Sequence, residues 1–242
     1  MQNLILRRSH YTQLDPMTWC ATAQVRLQLQ SSLWGNLPWP LAPSIAFIDS
    51  ITLYNFYWQL QSNPIPLTVP EHARYKRQQQ RSGVRLLLQQ LLAELSIVDT
   101  LDDSQFPYRL MNSRHYVCFS HSANKVAVVI STQRAVGIDI ETHNITRHVT
   151  QRFYHSTETT TLNELSLQQR DITAKWLWQI KESFIKIYQY KLAQGLGMNY
   201  SPLIADLIIS LEPANSPLVF PSRNECNYQI ALLPQQQTII IF

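Results

Sequence analysis

The sequence predicts a protein of the α+β class, and two observations carry that prediction. Two long stretches have the periodicity of amphipathic helices, and short β-prone runs surround each of them. These runs do not alternate with helices one by one, as they would in a regular parallel α/β sheet. With 242 residues, 45% hydrophobic and 15% charged, the chain can bury a sizeable core.

The first half contains one long predicted helix between two β-prone regions. Residues 31–48 are rich in proline and tryptophan, which indicates irregular structure leading into a β-prone run at 44–60. The helix is expected from Glu71 to about Ile97, because its apolar residues follow i, i+3, i+4 spacing. Those residues are Val84, Leu87, Leu88, Leu91, Leu92 and Leu95. Strands are then expected in "HYVCFSHS" and "NKVAVVIST".

The second half begins after the polar turn "STQR", which is the most favourable boundary in the chain. A strand is expected in "AVGIDIE", residues 135–141, and a partly helical segment at 152–165. The second long helix is expected from Asp171 to Lys191, with Asp171 as its cap. Three strand-like runs follow, at 203–212, 228–233 and 238–242.

The composition argues against several classes of protein. No apolar run reaches the roughly 18 residues that span a bilayer, and the N-terminus does not resemble a secretory signal, so we expect a soluble, cytoplasmic protein. The three cysteines lack zinc-ligand spacing, and the five glycines form no phosphate-binding loop. The net charge of +4 would suit an anionic partner.

The strand "AVGIDIE" carries two carboxylates on one face. Period-two geometry directs Asp139 and Glu141 to the same side, about 6 to 7 Å apart along the strand. A solvated strand end would tolerate this repulsion. A Mg²⁺ ion bound to the two carboxylates would offset it, because Mg²⁺ takes one or two carboxylates together with phosphate oxygens.

The second long helix also admits two interpretations. Its apolar stripe leaves Lys181, Glu182 and Lys186 elsewhere, and an exposed Glu182–Lys186 pair would contribute only about 0.3 to 0.5 kcal/mol. Trp178 lies one turn before Glu182 on the same side, which indicates that this side is covered. Covering a cluster of charges costs free energy unless the charges are compensated, for example by a ligand.

Two further polar segments each admit two interpretations from the sequence. His121 lies between Ser120 and Ser122, where a histidine is either a hydrogen-bonded polar residue or a ligand contact. The segment "HARYKRQQQRSGVR" is rich in arginine near a helix start, where positive charge is unfavourable to the helix dipole. It is either a solvated helix face or a site for an anion, with nucleic acid as one candidate.

Considered together, these stretches resemble the 4'-phosphopantetheinyl transferases, and specifically their larger single-chain type that activates peptide synthetases. The family pattern is a Gly-Ile-Asp-Ile-Glu strand followed by a Trp-x-x-Lys-Glu-x-x-x-Lys helix. This chain has "GIDIE" at 137–141 and "WQIKESFIK" at 178–186. It also has "RFYHSTE" at 152–158, the Ser-His-Ser strand at 120–122 and a basic entry segment from residue 70.

The resemblance implies a reaction and a set of site residues. Members of the family transfer 4'-phosphopantetheine from coenzyme A to a serine of an acyl or peptidyl carrier protein and release adenosine 3',5'-bisphosphate. Asp139, Glu141 and Glu182 would be the Mg²⁺ ligands, and Glu182 would also act as the base. Coenzyme A would be contacted by the remaining matched residues, namely Lys186, Lys181, His121, Ser120, Arg74, Arg81 and Ser82, of which Lys186 would stabilise the leaving phosphate.

The resemblance also implies an architecture. The family fold is two similar α+β halves related by a pseudo-twofold axis, with coenzyme A in the cleft between them. Here the halves would be residues 1–132 and 133–242, in a monomer with no nucleic-acid or membrane partner. Residues 1 to about 50 would form an N-terminal extension that has no counterpart in the family pattern.

One departure from the family pattern leaves alternatives open. The family has Gly-Lys-Pro before the Ser-His-Ser strand, whereas this chain has "QFP", with Phe106 in place of the lysine. Arg109 or Arg114 is a candidate substitute. The departure favours an alternative in which the protein binds coenzyme A or a carrier without turnover. A nucleic-acid-binding module built on Arg74 to Arg85 is a third alternative and predicts steeply salt-dependent binding.

Overall fold

The structure is a computed structural model that describes residues 3–28, 68–210, 217–223 and 227–242. The irregular segment expected at 31–48 and the β-prone run expected at 44–60 lie outside the described residues. Within the described part, helices and strands are mixed along the chain and every strand pairing is antiparallel, which agrees with the α+β class. None of the described helices is long and apolar enough to cross a membrane.

The larger sheet has six strands in the order β1-β2-β6-β5-β4-β3. They are β1 (Asn3–Asp15), β2 (Thr18–Gln28), β3 (Leu101–Asp102), β4 (Tyr108–Leu110), β5 (Tyr116–Ser122) and β6 (Lys125–Ser131). Strands β5 and β6 confirm the sequence prediction for that region. The hairpin of β1 and β2 was not predicted, because arginines interrupt the alternation of β1. The dipeptide Asp15-Pro16 was its available signal, and Asp15 closes the turn by accepting from the Met17 N–H at 2.8 Å.

Helix α1 (Val69–Glu94) packs its leucine-rich face against this sheet. Its start is defined by Pro70 in the first turn and by the Glu71 carboxylate, which accepts from the Thr68 N–H at 2.8 Å. The predicted apolar positions from Val84 to Leu92 are buried. The predicted helix is confirmed, and it ends before Ser96, which adopts a left-handed conformation with φ of 56°.

The smaller sheet has four strands in the order β7-β10-β9-β8. They are β7 (Gly137–Ile140), β8 (Leu218–Pro221), β9 (Gln229–Leu233) and β10 (Thr238–Ile241). Helix α4 (Leu167–Tyr188) is the predicted second long helix and packs on this sheet, but its cap is Ser166, which accepts from the Gln169 N–H, and not the predicted Asp171. Shorter helices surround it, namely α2 (Arg147–Phe153), α3 (Ser156–Glu164), α5 (Leu192–Leu196) and α6 (Ile204–Ile209).

The strand expected at 203–212 is wrong over the described residues of that run. A 3₁₀ turn at Ser201–Leu203 leads directly into α6. Leu203, Ile204 and Leu207 are buried at helical spacing against the core of the smaller sheet. A short apolar run is ambiguous between strand and helix, and here packing selected the helix.

The two sheets pack face to face between helices, which gives a layered arrangement. Cys118 and Val129 of the larger sheet share one buried cluster with Ile138, Ile140 and Ile240 of the smaller sheet. A second cluster lies between the larger sheet and α1, and a third between the smaller sheet and α4. The larger sheet draws its strands from residues 3–131, and the smaller one from residues 137–241.

Candidate functional site

A cleft of about 630 Å³ lies where α1, β5, β7 and α4 approach one another. It joins charged groups and aromatic rings from residues that are far apart in the sequence. The lining comprises Arg81, Val84, Arg85, Phe106, Tyr108, Phe119, Ser120, His121, Asp139, Ile140, Glu141, Trp178, Glu182 and Lys186. The structure therefore brings together the acidic strand, the acidic helix and the Ser-His segment that the sequence singled out.

Gly137 allows β7 to approach α4 this closely. A Cβ atom at position 137 would lie 2.3 Å from the carbonyl oxygen of Ser183, a backbone atom that cannot rotate away. Because Ser183 follows Glu182 directly, this contact sets the distance between the acidic strand and the acidic turn of the helix. The glycine of "GIDIE" is thus required by packing.

Asp139 and Lys186 form an ion pair at the floor of the cleft. The Nζ of Lys186 lies 3.0 Å from Oδ1 of Asp139 and also donates to the carbonyl oxygen of Ile138 at 2.7 Å. Burial by itself would lower the pKa of Lys186, but Asp139, Cys118 and Glu182 outweigh it and the pKa is raised. Lys186 is therefore a permanent cation.

Ser120 is hydrogen-bonded to the carboxylate of Asp139. Its hydroxyl donates to Oδ1 of Asp139 at 2.8 Å and accepts from the N–H of Ile140 at 3.2 Å. The side chain is buried and both of its hydrogen-bonding roles are taken. Ser120 thus orients Asp139, although the sequence analysis had expected it to contact coenzyme A.

Glu141 is held by its own set of donors. Oε1 accepts from the hydroxyl of Ser122 and from the N–H of His143, each at 2.8 Å. Burial alone would raise the pKa of Glu141, but these hydrogen bonds outweigh burial and lower it. Glu141 is therefore an ionised carboxylate at neutral pH.

Glu182 differs from the other two carboxylates. Among the described residues none donates a hydrogen bond to it. Its pKa is raised, first by burial and then by Asp139 and Glu141, with Lys186 offsetting part of the effect. The cleft thus contains a carboxylate with a raised pKa that faces two other carboxylates, an arrangement that concentrates at functional sites.

The donor set of the cleft fits a hard divalent cation. Asp139 and Glu141 both act on Glu182, with Lys186 as the cation that offsets part of their effect, and a bound cation would reduce the repulsion among the three carboxylates. Within the described ranges, no three acidic, histidine or cysteine groups converge closely enough to hold an ion by themselves. Asp139 is turned towards Lys186 and Ser120, and Glu141 towards Ser122 and His143. As placed, the site would offer Mg²⁺ one or two of these carboxylates, with water and substrate oxygens completing the shell, and all three would serve only after Asp139 and Glu141 turn from these partners.

Two arginines and a histidine also line the cleft. His121 lies in the cleft, where burial, followed by Lys186 and Arg81, lowers its pKa and favours the neutral imidazole. Arg81 and Arg85 also line the cleft, and Arg85 is bound to Asp103. Arg85 belonged to the basic segment of the sequence but was not predicted as a site residue. Its spacing of i+4 from Arg81 was the available signal.

The other two predicted residues of α1 do not line the cleft. Arg74 precedes Arg81 by about two turns and therefore shares its helix face, about 10 Å further from the cleft. Ser82 is exposed and is rotated about 100° from Arg81 around the helix axis. The geometry therefore supports Arg81, is compatible with Arg74 for an extended ligand, and does not support Ser82.

The prediction that Lys181 contacts a coenzyme A phosphate is corrected by the structure. Lys181 and Glu158 are both fully buried, and their Nζ and Oε2 atoms lie 2.9 Å apart. Nζ also donates to the carbonyl oxygens of Leu196 and Met198. An ammonium with no exposed surface cannot reach a ligand in the cleft, so Lys181 ties α4 to α3 and to the segment after α5.

Phe106 lines the cleft with Tyr108 and Phe119, so an aromatic wall stands where the family pattern has a lysine. Neither proposed substitute is placed there. Arg109 stacks on the ring of Tyr116 at 4.1 Å and donates to its hydroxyl, and Arg114 lies 3.8 Å from Asp102. The aromatic wall is not predictable from the sequence, where Phe106 stands out only as the replacement of a lysine.

A comparison with protein families bears on this site. Residues 135–235 match the model of the 4'-phosphopantetheinyl transferase superfamily. The match covers less than half of the chain but includes β7 and α4, and hence Asp139, Glu141, Glu182 and Lys186. No curated protein matches the chain.

Proposed function

We propose that the protein transfers the 4'-phosphopantetheine arm of coenzyme A to a serine of an acyl or peptidyl carrier protein, in a Mg²⁺-dependent reaction that releases adenosine 3',5'-bisphosphate. One observation carries this proposal. Asp139 on β7 and Glu141 directly after that strand line a single cleft with Glu182 and Lys186 on α4, and all four residues lie in the segment that matches the superfamily.

The reaction makes defined demands on a site. The serine hydroxyl of the carrier attacks the phosphorus that bears the pantetheine arm, and the bond to the other phosphate of the pyrophosphate breaks. A site must therefore align the nucleophile, remove its proton and neutralise charge on the pyrophosphate. Asp139, Glu141 and Glu182 would hold Mg²⁺, which when bound supplies neutralisation of the phosphate charge.

Glu182 is the proposed base. Its carboxylate lies in the cleft with the other proposed ligands, and no donor among the described residues occupies it. Lys186 is the proposed partner of the leaving phosphate. Because its pKa is raised, it stays charged while the proton of the serine is transferred to Glu182.

The arginines and the histidine of the cleft would bind the nucleotide part of coenzyme A. Arg81 and His121 line the cleft and would donate hydrogen bonds to phosphate oxygens, with Arg74 further along the same helix face. Ser120 would act through Asp139. We further propose the larger single-chain type of the family, active as a monomer in the cytoplasm, with halves 1–132 and 133–242 related by a pseudo-twofold axis.

A second candidate is a protein that binds coenzyme A or a carrier without turnover. The aromatic wall at Phe106 favours it, because a neutral ring replaces the lysine that the family pattern places against the nucleotide. Calorimetry that shows coenzyme A binding, together with an unmodified carrier, would select this candidate.

A carrier assay tests the proposal. Purified protein is incubated with coenzyme A, Mg²⁺ and a panel of apo carrier proteins, and the molecular mass of each carrier is measured by mass spectrometry. We expect at least one carrier to gain the mass of one phosphopantetheine arm, and Glu182→Gln to abolish the gain. Glu164→Gln is the matched control, since Glu164 is an exposed glutamate on α3 outside the cleft. Unmodified carriers throughout, with folded protein, would overturn the proposal.

A further inference from the structure

A second basic site lies beside the cleft, at the end of β7. A cavity of about 200 Å³ opens between the β1–β2 hairpin and the β9–β10 turn. Its lining includes three basic side chains and three amides, which we call the hairpin pocket: Arg8, His10, Lys125, Gln24, Gln235 and Gln236. Ile140 lines both this pocket and the cleft, so the two are neighbours.

The positive charge of the hairpin pocket is not offset locally. No carboxylate is among the described residues that line it. The Nζ of Lys125 donates to the amide oxygen of Gln237 at 2.8 Å, which is a neutral acceptor. Burial lowers the pKa of Lys125, as expected for a cation without a counter-charge.

The backbone of β1 presents Arg8 to this pocket at a conformational cost. Arg8 has a φ of 53°, a left-handed conformation that is unfavourable for a residue with a Cβ. The residue lies in an irregularity of the β1–β2 register between Arg7 and His10. Bulges of this kind redirect side chains and are frequent at functional sites.

Lys175 on α4 lies outside the lining of the pocket and is influenced by both Glu141 and Lys125. It is only 9% exposed, and burial lowers its pKa, with Glu141 opposing that shift and Lys125 adding to it. Lys175 thus lies within electrostatic range of Lys125. The proposed transfer reaction uses neither lysine.

We propose that the hairpin pocket binds a phosphate group, either inorganic phosphate or a phosphate monoester. A phosphate carries nearly two negative charges at neutral pH, which matches several cations better than a single carboxylate does. Arg8 supplies the planar fork of donors that suits phosphate oxygens, Lys125 a point charge, and the glutamine amides additional donors.

Calorimetric titration tests the proposal without coenzyme A, carrier or Mg²⁺, so its outcome is independent of the proposed function. The titrants are inorganic phosphate, glycerol phosphate as a monoester, and acetate. We expect one of the phosphates to bind at least tenfold more tightly than acetate, and the stronger of the two identifies the source. Acetate binding as tightly as either phosphate would overturn the proposal.

Two variants locate the binding event. Arg8→Gln combined with Lys125→Gln should weaken phosphate binding at least tenfold, whereas Arg81→Gln in the cleft should leave that event unchanged. Loss of binding in Arg81→Gln but not in the double variant would overturn the proposal, and so would an unchanged double variant. If the double variant folds poorly, Arg8→Gln and His10→Gln alone replace it, because both side chains are exposed. Each should weaken binding about threefold, and no effect from either would again overturn the proposal.

Discussion

The ammonium of Lys186 lies 3.0 Å from Oδ1 of Asp139 and 2.7 Å from the carbonyl oxygen of Ile138. One side chain of α4 thereby contacts both the backbone and the carboxylate of β7. The pair joins the two sequence motifs into one site, and it also keeps a cation permanently charged beside three carboxylates. Lys186 is therefore both a structural link and the proposed phosphate contact.

We expect Lys186→Gln to reduce carrier modification by about 100-fold or more, since it removes a preorganised charged donor from the proposed transition state. Single-turnover transfer with saturating coenzyme A measures this loss. Lys191→Gln, an exposed lysine just after α4, is the matched control and should retain full activity. Equal activity of the two variants would remove Lys186 from the proposed mechanism.

We expect Gly137→Ala to destabilise the protein by about 1 to 3 kcal/mol, because the added methyl group would overlap the backbone of Ser183. Urea unfolding followed by circular dichroism measures the change. Gly197→Ala is the matched control, since a Cβ there would lie 3.3 Å from its nearest neighbour, the carbonyl oxygen of Ala193. A Gly137→Ala variant as stable as Gly197→Ala would contradict the close packing of β7 on α4.

We expect Lys181→Met to cost about 3 to 5 kcal/mol of stability, because it leaves the carboxylate of Glu158 buried without its cation. Combining it with Glu158→Gln should recover part of that loss. Calorimetry should show that the folded variant binds coenzyme A with an affinity within about twofold of that of the parent protein. A tenfold change in affinity would correspond to about 1.4 kcal/mol. A stable variant with weakened coenzyme A binding would restore Lys181 as a ligand contact.

Glu182 gives a pH-dependent prediction for stability. Its pKa in the folded protein is raised above the ordinary value of 4.5, so the folded state binds its proton more tightly than the unfolded state does. The ionised form therefore destabilises the fold above the raised pKa, and the penalty disappears below about pH 4.5. Glu182→Gln should melt at a higher temperature than the parent at pH 7 without metal, and the gain should shrink as the pH falls to 4. A constant gain across that range would show that Glu182 is not the titrating group.

The long helices and the site strand could be predicted from the sequence because their signals are local. The spacing of Leu87, Leu88, Leu91 and Leu92 predicts one buried face, and the structure confirms it. The alternation in "GIDIE" directs Ile138 and Ile140 into the core, as observed. The β1–β2 hairpin and helix α6 were missed or misassigned, because partners distant in the sequence decide them.

The sequence by itself determined which chemical groups were candidates for the site: the carboxylates of "GIDIE", and Lys181, Glu182 and Lys186 of α4. Only the tertiary structure decided which of them meet. Adjacent residues on a helix point about 100° apart, so Lys181 and Glu182 cannot face the same neighbour. Packing of α4 against β7 and α3 turned Lys181 into the core against Glu158 and Glu182 into the cleft. The tertiary structure also placed Phe106 in the lining of the cleft, and Arg8 and Lys125 in the lining of one pocket, relationships that no local spacing encodes.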